Sequence, residues 1–223
     1  MASTQSEKDY AIAPLAKIPS DFHSPGQAFV QCSMKSKILT TAIFLVPLWL
    51  QPQVVAFIPE HLEQLRRTGS CVECDLSSAD LPDALLSNTD LRGANLTGAN
   101  LIRADLRGAN LSSANLSGAS LINANLAGAN LTNSNLTVTA LIKANLTAAN
   151  LAGAGLSLAK LLDANLTGAD LRNADLKAAD LRNATLNSAD LRGADLRNAD
   201  LENALLNGTL LGSAIMPDGT FYP

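Results

Sequence analysis

The chain has 223 residues, with 16 basic against 20 acidic side chains and a formal net charge of −4. That balance lacks the basic surplus of a nucleic-acid binder. Two histidines and three cysteines leave little material for a metal centre or a paired nucleophile and base.

Residues 1–33 are polar, carry Glu7, Asp9 and Asp21, and show no periodicity. From Met34 the chain reads MKSK, then an apolar run from Ile38 to Leu50, then QPQVVA. A basic start, a short apolar centre and a small-residue end form the layout of a secretory signal peptide, here 34–56 with cleavage after Ala56. The 13 residues of the run fall short of the roughly 20 a bilayer span needs. Extending it across Gln51, Pro52 and Gln53 to Ile58 gives the alternative of an uncleaved anchor. A signal peptide begins a chain, so Met34 is read as the true start and 1–33 as a mis-assigned extension. A disordered cytoplasmic tail is the competing reading. Cleavage leaves no stable membrane span and a net charge of about −5, from 12 basic and 17 acidic residues.

Residues 57–70 form a lead-in. Pro59 to Arg67 is expected as a short helix, with Pro near its start, Leu62 and Leu65 on one face, and Gly69 just past its end. Cys71 and Cys74 follow as CxxC. They are read as buried thiols, as a disulfide that an exported compartment permits, or as redox or metal chemistry. His61 is the one nearby histidine, too few ligands for zinc.

From Leu76 to Leu211 a leucine stands at every fifth position, 28 in succession. A period of five fits neither the 3.6 of a helix nor the 2 of a strand, so each repeat must contain a corner. The residue two before each leucine is Ala in 23 cases, otherwise Cys74, Thr89, Ser134, Thr139 or Thr209, all small enough to face inward at a corner. The residue one before is Asp or Asn in 20 cases, which suits a turn because these side chains bond nearby backbone. The segment LRGADLRNADLENALL from Leu191 shows the unit plainly.

This A(D/N)LXX tandem, over residues 71–216, resembles the pentapeptide repeat proteins. The resemblance implies an all-β fold, a right-handed quadrilateral β-helix with four pentapeptides per coil and a leucine centred on each face. The variable positions support four sides independently. Ile102, Ile122, Ile142 and Leu162 recur at twenty, as do Ser77, Thr97, Ser117, Thr137 and Ser157, and like stacks on like in adjacent strands. The 28 repeats make about seven coils, a shaft on the order of 34 Å long at about 4.8 Å per coil. Coils stack almost one-dimensionally, so both ends need protection. The short N-terminal helix is the expected cap at one end. Residues 217–223 are the expected cap or tail at the other, with Phe221 and Tyr222 supplying bulk.

Two apolar surfaces stand out. Val138 and Leu158 lie one corner from the Ile102, Ile122, Ile142, Leu162 column and form with it an exposed strip expected to bind a partner protein. At the C-terminal end Leu205, Leu210 and Ile215 replace the usual Asp or Asn. Either the tail or another chain covers them, and the family resemblance implies a homodimer through this end. Charge is uneven. Between Leu111 and Ala159 only Lys143 ionises, whereas Asp170 to Asp200 stacks acids beside Arg172, Lys177, Arg182, Arg192 and Arg197.

The repeats contain no histidine, no nucleophile and base pairing and no phosphate loop, and their aspartates are dispersed, so neither enzyme chemistry nor a cofactor is expected. The leading reading is an exported non-catalytic scaffold that engages a protein partner. The alternative is a cytoplasmic DNA mimic that binds a topoisomerase, as some pentapeptide repeat proteins do; modest charge and the export signal speak against it. The segment LRRTGSCVECDLSSADL also resembles the lead-in of cyanobacterial members, which implies a thylakoid lumen or periplasm.

Overall fold

A ten-residue helix opens the computed structural model, which describes residues 58–223; the expected signal peptide through Ala56 and the extension before it lie outside the described residues. Helix α1 spans Pro59–Thr68, one residue past the expected end. Pro59 sits in the first turn, where a missing N–H is harmless. Gly69 ends the helix at φ 65°, and its N–H donates to the Leu65 carbonyl at 2.9 Å. Leu65 is buried and Leu62 packs on the same core.

Beyond α1 the chain pairs with itself at one spacing. Each residue before an inward position bridges in parallel to the residue twenty further on, from Ser70 with Asp90 to Asp195 with Ile215. Four pentapeptides therefore complete one coil. The ladder repeats from coil to coil as far as the last. Leu141 donates its N–H to the Lys160 carbonyl at 2.8 Å and Lys143 to the Leu162 carbonyl at 2.9 Å, both toward the following coil. Asn145 donates to the Ala124 carbonyl of the preceding coil at 2.9 Å.

Corners lie between each leucine and the next alanine. Ala144 N–H closes a turn onto the Leu141 carbonyl at 3.0 Å, and Lys143 within it has φ 57°. Positive φ at the third residue is what a type II turn requires. The residue two after each inward position is left-handed along the whole shaft, from Glu73 to Ser213. Gly, Asn, Ser and Asp predominate there because they tolerate that region best. The Asp and Asn residues expected within the turn instead occupy the flat of each face. Their Oδ1 accepts the N–H two residues on, as Asn145 does from Thr147 at 3.1 Å and Asn150 from Ala152 at 3.1 Å.

Leucine and alanine rows fill the interior; Leu76 through Leu196 are almost all inaccessible to solvent. Burial of each leucine is worth roughly 1.5–3 kcal/mol before the entropy of ordering its repeat is subtracted. Where a hydroxyl replaces alanine it is bonded: Ser134 Oγ donates to the Leu131 carbonyl at 2.7 Å, and Thr139 Oγ1 to the Leu116 carbonyl at 2.8 Å. A buried hydroxyl is thereby kept from being unsatisfied.

The two ends differ. At the first coil His61 of α1 turns its Nδ1 to the amide of Asp75 and accepts that N–H at 2.9 Å. At the last coil the tail folds back as an antiparallel bridge of Ile215 with Phe221. Ser213 N–H donates to the Tyr222 carbonyl at 2.9 Å, and Tyr222 N–H to the Ala214 carbonyl at 2.8 Å. Phe221 and Tyr222 were expected to plug the coil with bulk. Phe221 is 73% exposed and Tyr222 45%; the tail closes one side by backbone bonding and leaves Leu201, Leu206 and Leu211 only partly covered.

One corner breaks the residue preference sharply. Val138 holds φ 61°, although a β-branched side chain is a genuine outlier there. The left-handed region costs an ordinary residue roughly 1–2 kcal/mol. Val138→Gly is therefore expected to stabilise the protein by about 1 kcal/mol, after the greater entropy of glycine in the unfolded chain is allowed for. Urea titration checks this, and a lower midpoint for the variant would refute the strain.

Candidate interaction surface

Successive corners at 136–139 and 141–144 bound one flat face. Thr139 and Leu141 point inward and are buried, while Val138, Ala140 and Ile142 point out. The same three outward positions one coil earlier hold Gly118, Ser120 and Ile122, and one coil later Leu158, Lys160 and Leu162. The two predicted apolar columns thus border a single face. Val138 is 49% and Leu158 55% exposed. Ile102, Ile122, Ile142 and Leu162 are half-buried, being stacked at the spacing of adjacent strands. The apolar stretch covers four coils, roughly 19 Å along the axis at about 4.8 Å per coil.

The centre of this face departs from the other three. Elsewhere the mid-face column is a ladder of amides: Asn135 Nδ2 donates to Asn115 Oδ1 at 3.1 Å, Asn145 to Asn125 at 3.1 Å, and Asn130 to Asn110 at 3.2 Å. On the apolar face Asn100 bonds Asp80 at 2.7 Å, and then the column becomes Ser120, Ala140 and Lys160. Loss of the amides coincides with the bulky flanks. Ser120 and Ala140 leave the mid-face low before Lys160 fills it, and bulky apolar residues stand on both sides of the column at the levels of Val138 and Leu158, between Gly118 and Ala178.

Charge around the face is also distinct. Among the described residues, Arg92, Arg103, Arg107, Arg172, Lys177, Arg182, Arg192 and Arg197 each hold a carboxylate within 3 Å. Lys143, beside Ile142, and Lys160, within the face, are exposed and form no ion pair among the described residues. Asp180 stacks directly on Lys160 but is bonded to Arg182 at 2.8 Å.

The remaining predicted residues lie at the ends. Cys71 and Cys74 face inward, fully or almost fully buried, and are joined as a disulfide beneath α1. Leu205 and Leu210 are about half exposed, while Ile215 is the one the tail covers. Among the described residues, the amides of Leu201, Leu206 and Leu211 find no backbone acceptor, so this end presents open strand edges beside apolar side chains. The sequence offers His61 only as a metal ligand; its bond to Asp75 makes it part of the first-coil closure. No group of His, Cys, Asp or Glu among the described residues is arranged to hold a metal ion.

Comparison with known families places the shaft. The model of pentapeptide repeats matches residues 70–108, 99–137, 141–177 and 174–212. The chain is a member of the pentapeptide repeat family. Members fold as right-handed β-helices and are generally non-enzymatic proteins of structure and interaction. HetL, a pentapeptide repeat protein involved in heterocyst differentiation regulation in the cyanobacterium Nostoc, is 31% identical, with 74% of this chain and 99% of HetL covered and a TM-score of 0.31. The Nostoc pentapeptide repeat protein alr5209 is 44% identical over 40% of this chain and 74% of its own, TM-score 0.38. A pentapeptide repeat protein of the Arabidopsis thaliana thylakoid lumen is 33% identical over 46% of this chain and 68% of its own, TM-score 0.24. None of the curated proteins matches.

Within this pentapeptide repeat protein the stacked aspartates are kept together by cations set between them. Asp170 bridges to Asp190 and Asp175 to Asp195, an arrangement that repels if left alone. Arg172 binds Asp170 at 2.6 Å and lies 3.8 Å from Asp190; Lys177 binds Asp175 at 2.9 Å and lies 3.5 Å from Asp195. Arg197 hydrogen-bonds Asp195, and this holds its carboxyl at about 2, below the ordinary 3.8. A depressed carboxylate contributes stability that is present above its unfolded value and lost as pH falls through its folded value. The melting temperature is therefore expected to fall between about pH 4 and about pH 2 and to be less acid-sensitive in Asp195→Asn. Thermal melts monitored by circular dichroism across that range check it, and an unchanged acid limb in the variant would refute the assignment.

Proposed function

We propose that the protein is an exported, non-catalytic scaffold whose apolar face, bordered by the Ile102–Leu162 column and by Val138 and Leu158, binds a protein partner. One observation carries this reading: in a single repeat, residues 136–140, three positions depart together. Val138 occupies a left-handed corner that disfavours it, Thr139 replaces the inward alanine, and Ala140 replaces the mid-face amide. Strain retained at an exposed apolar side chain has no return in folding and points to use of that surface.

Export rests on the layout of residues 34–56, with thylakoid lumen or periplasm as the destination implied by the lead-in around Cys71 and Cys74. The bonded cysteines fit an oxidising compartment. No helix among the described residues is long and apolar enough to cross a membrane. Self-association through the C-terminal end is a compatible second contact, supported by exposed Leu205 and Leu210 and by the free amides of the last coil. A DNA-like surface is disfavoured, since the acidic columns carry bonded Arg and Lys and so are largely neutralised.

Partner recovery from the native cell tests the reading. With Ile122→Lys and Ile142→Lys together, a protein of unchanged circular dichroism is expected to lose its co-purifying partner. Retention of that partner at wild-type yield would overturn the assignment of this face.

A further inference from the structure

We infer that α1 is a pH-sensitive cap: the neutral ring of His61 latches it to the first coil, and acid releases it. From Asp90 to Ile215 every mid-face amide donates to a carbonyl twenty-one residues behind, as Asn95 does to Cys74 at 2.8 Å. The first coil has no coil behind it. Its Ser70 amide donates instead to Thr68 Oγ1 at 3.1 Å and its Asp75 amide to His61 Nδ1 at 2.9 Å, while Asp80 and Leu85 find no acceptor among the described residues. Two side chains of α1 thus stand where carbonyls of a preceding coil would. A hydroxyl accepts at any pH; an imidazole accepts only while it is neutral.

The geometry fixes the state of the ring. A backbone amide always carries its proton, so the Asp75 N–H directed at Nδ1 makes that nitrogen the acceptor and places the ring's own proton on Nε2. Protonation of Nδ1 sets N–H against N–H and leaves the partly buried Asp75 amide without an acceptor, the costly way to lose a hydrogen bond. The Asp75 carbonyl, 3.4 Å from Nδ1, lies at the limit of hydrogen-bond reach and already takes the Ile58 N–H at 3.4 Å. His61 is also the third residue of α1, where the positive end of the helix dipole disfavours an imidazolium.

The charges around the ring are Glu60, Glu63, Arg66 and Arg67 on α1 and Glu73 and Asp75 on the first coil. All but Asp75 are exposed. The Asp75 carboxylate attracts an imidazolium, but it already accepts the Ser77 N–H at 3.0 Å and Asn95 Nδ2 at 3.1 Å. It can hold a charged ring near the coil without returning an acceptor to the amide. Release uncovers what α1 shelters: buried Leu65, the Cys71–Cys74 disulfide, whose Cys71 Sγ lies 3.1 Å from the His61 carbonyl, and the strand edge at Asp75. An unpaired edge is a template for another chain, so acid turns a closed end into an adhesive one. The latch belongs to the chain itself and stands or falls apart from the apolar face and from export.

Hydrogen exchange of the full-length protein, followed by NMR and corrected for the intrinsic pH dependence of amide exchange, tests this. Docking favours the neutral ring, so it is fully present above the ordinary histidine value of about 6.5 and lost as pH falls below it. Protection of the Asp75 and Leu65 amides is expected to fall about tenfold between about pH 7.5 and pH 5.5, the change linkage gives when only the undocked ring takes up the proton. Protection of Leu141 and Asn145 in the middle of the shaft should hold. His61→Asn, which offers an uncharged acceptor near the place of Nδ1, should remove the response, and His61→Ala should lower protection at both values. Ring nitrogen shifts, which do not depend on either variant docking, should show the Nε2–H tautomer of His61 at the higher pH. Protection indifferent to pH, an equal fall in His61→Asn, wild-type protection in His61→Ala, or a His61 ring carrying its proton on Nδ1 would each overturn the latch.

Discussion

The backbone ladder between coils is the constraint from which the rest follows. Between the end coils, each inward leucine donates its amide to a carbonyl nineteen residues ahead, and each mid-face residue donates to one twenty-one residues behind. The two conditions hold together only if every coil contains the same number of residues. Leucine spacing, alanine size and left-handed corners all serve that equality. A buried backbone amide without a partner costs as much as several apolar contacts return, so the period tolerates no local drift. Side chains facing outward are released from this demand, which is why composition there varies freely from coil to coil.

That freedom divides the shaft into chemical zones without altering its course. Amide ladders bond along three faces in the middle coils, aspartates with interposed cations occupy the coils from Asp170 to Asp200, and one face is apolar. Asparagine stacks on its own kind because its amide donates and accepts in the same direction. Aspartate only accepts, so its stacking needs Arg172, Lys177 or Arg182 between levels. The neutral and charged zones therefore rest on different bonding economies built on an identical backbone. Thr139 shows how tightly the interior is held even where the surface departs most, its hydroxyl bonded to the Leu116 carbonyl.

Much of this was legible in the residues. The five-residue leucine period implied corners, and the column from Ile102 to Leu162 implied twenty residues per coil. The corner itself was misplaced. Asp and Asn before each leucine drew attention as turn formers, while the left-handed residue lies two after it, where Gly, Asn and Ser recur in plain view. Phe221 and Tyr222 were read for their volume, yet the end of a solenoid is an edge of unpaired amides, and what the tail supplies is backbone bonding from residues 220–222 along one side of it. His61 was invisible for the same reason. Its partner is the amide N–H of Asp75, and main-chain donors leave no trace in a side-chain pattern. The apolar face was legible as two columns; that they border one face required the placement of the corners.

The constancy of the coil has a consequence for how such a chain changes over time. Adding or removing one pentapeptide between α1 and Ile102 would leave the ladder intact, since the next five residues fit the vacated side. Everything beyond would turn by a quarter revolution about the axis. The apolar face would then look out at a different angle from the helix at the base, with the same residues and a change in height of only about 1.2 Å, a quarter of the strand spacing. Insertions of twenty would restore the bearing and only lengthen the stem. In this architecture a partner site has an azimuth and an elevation, each adjustable by whole repeats, so selection on orientation can proceed without selection on folding.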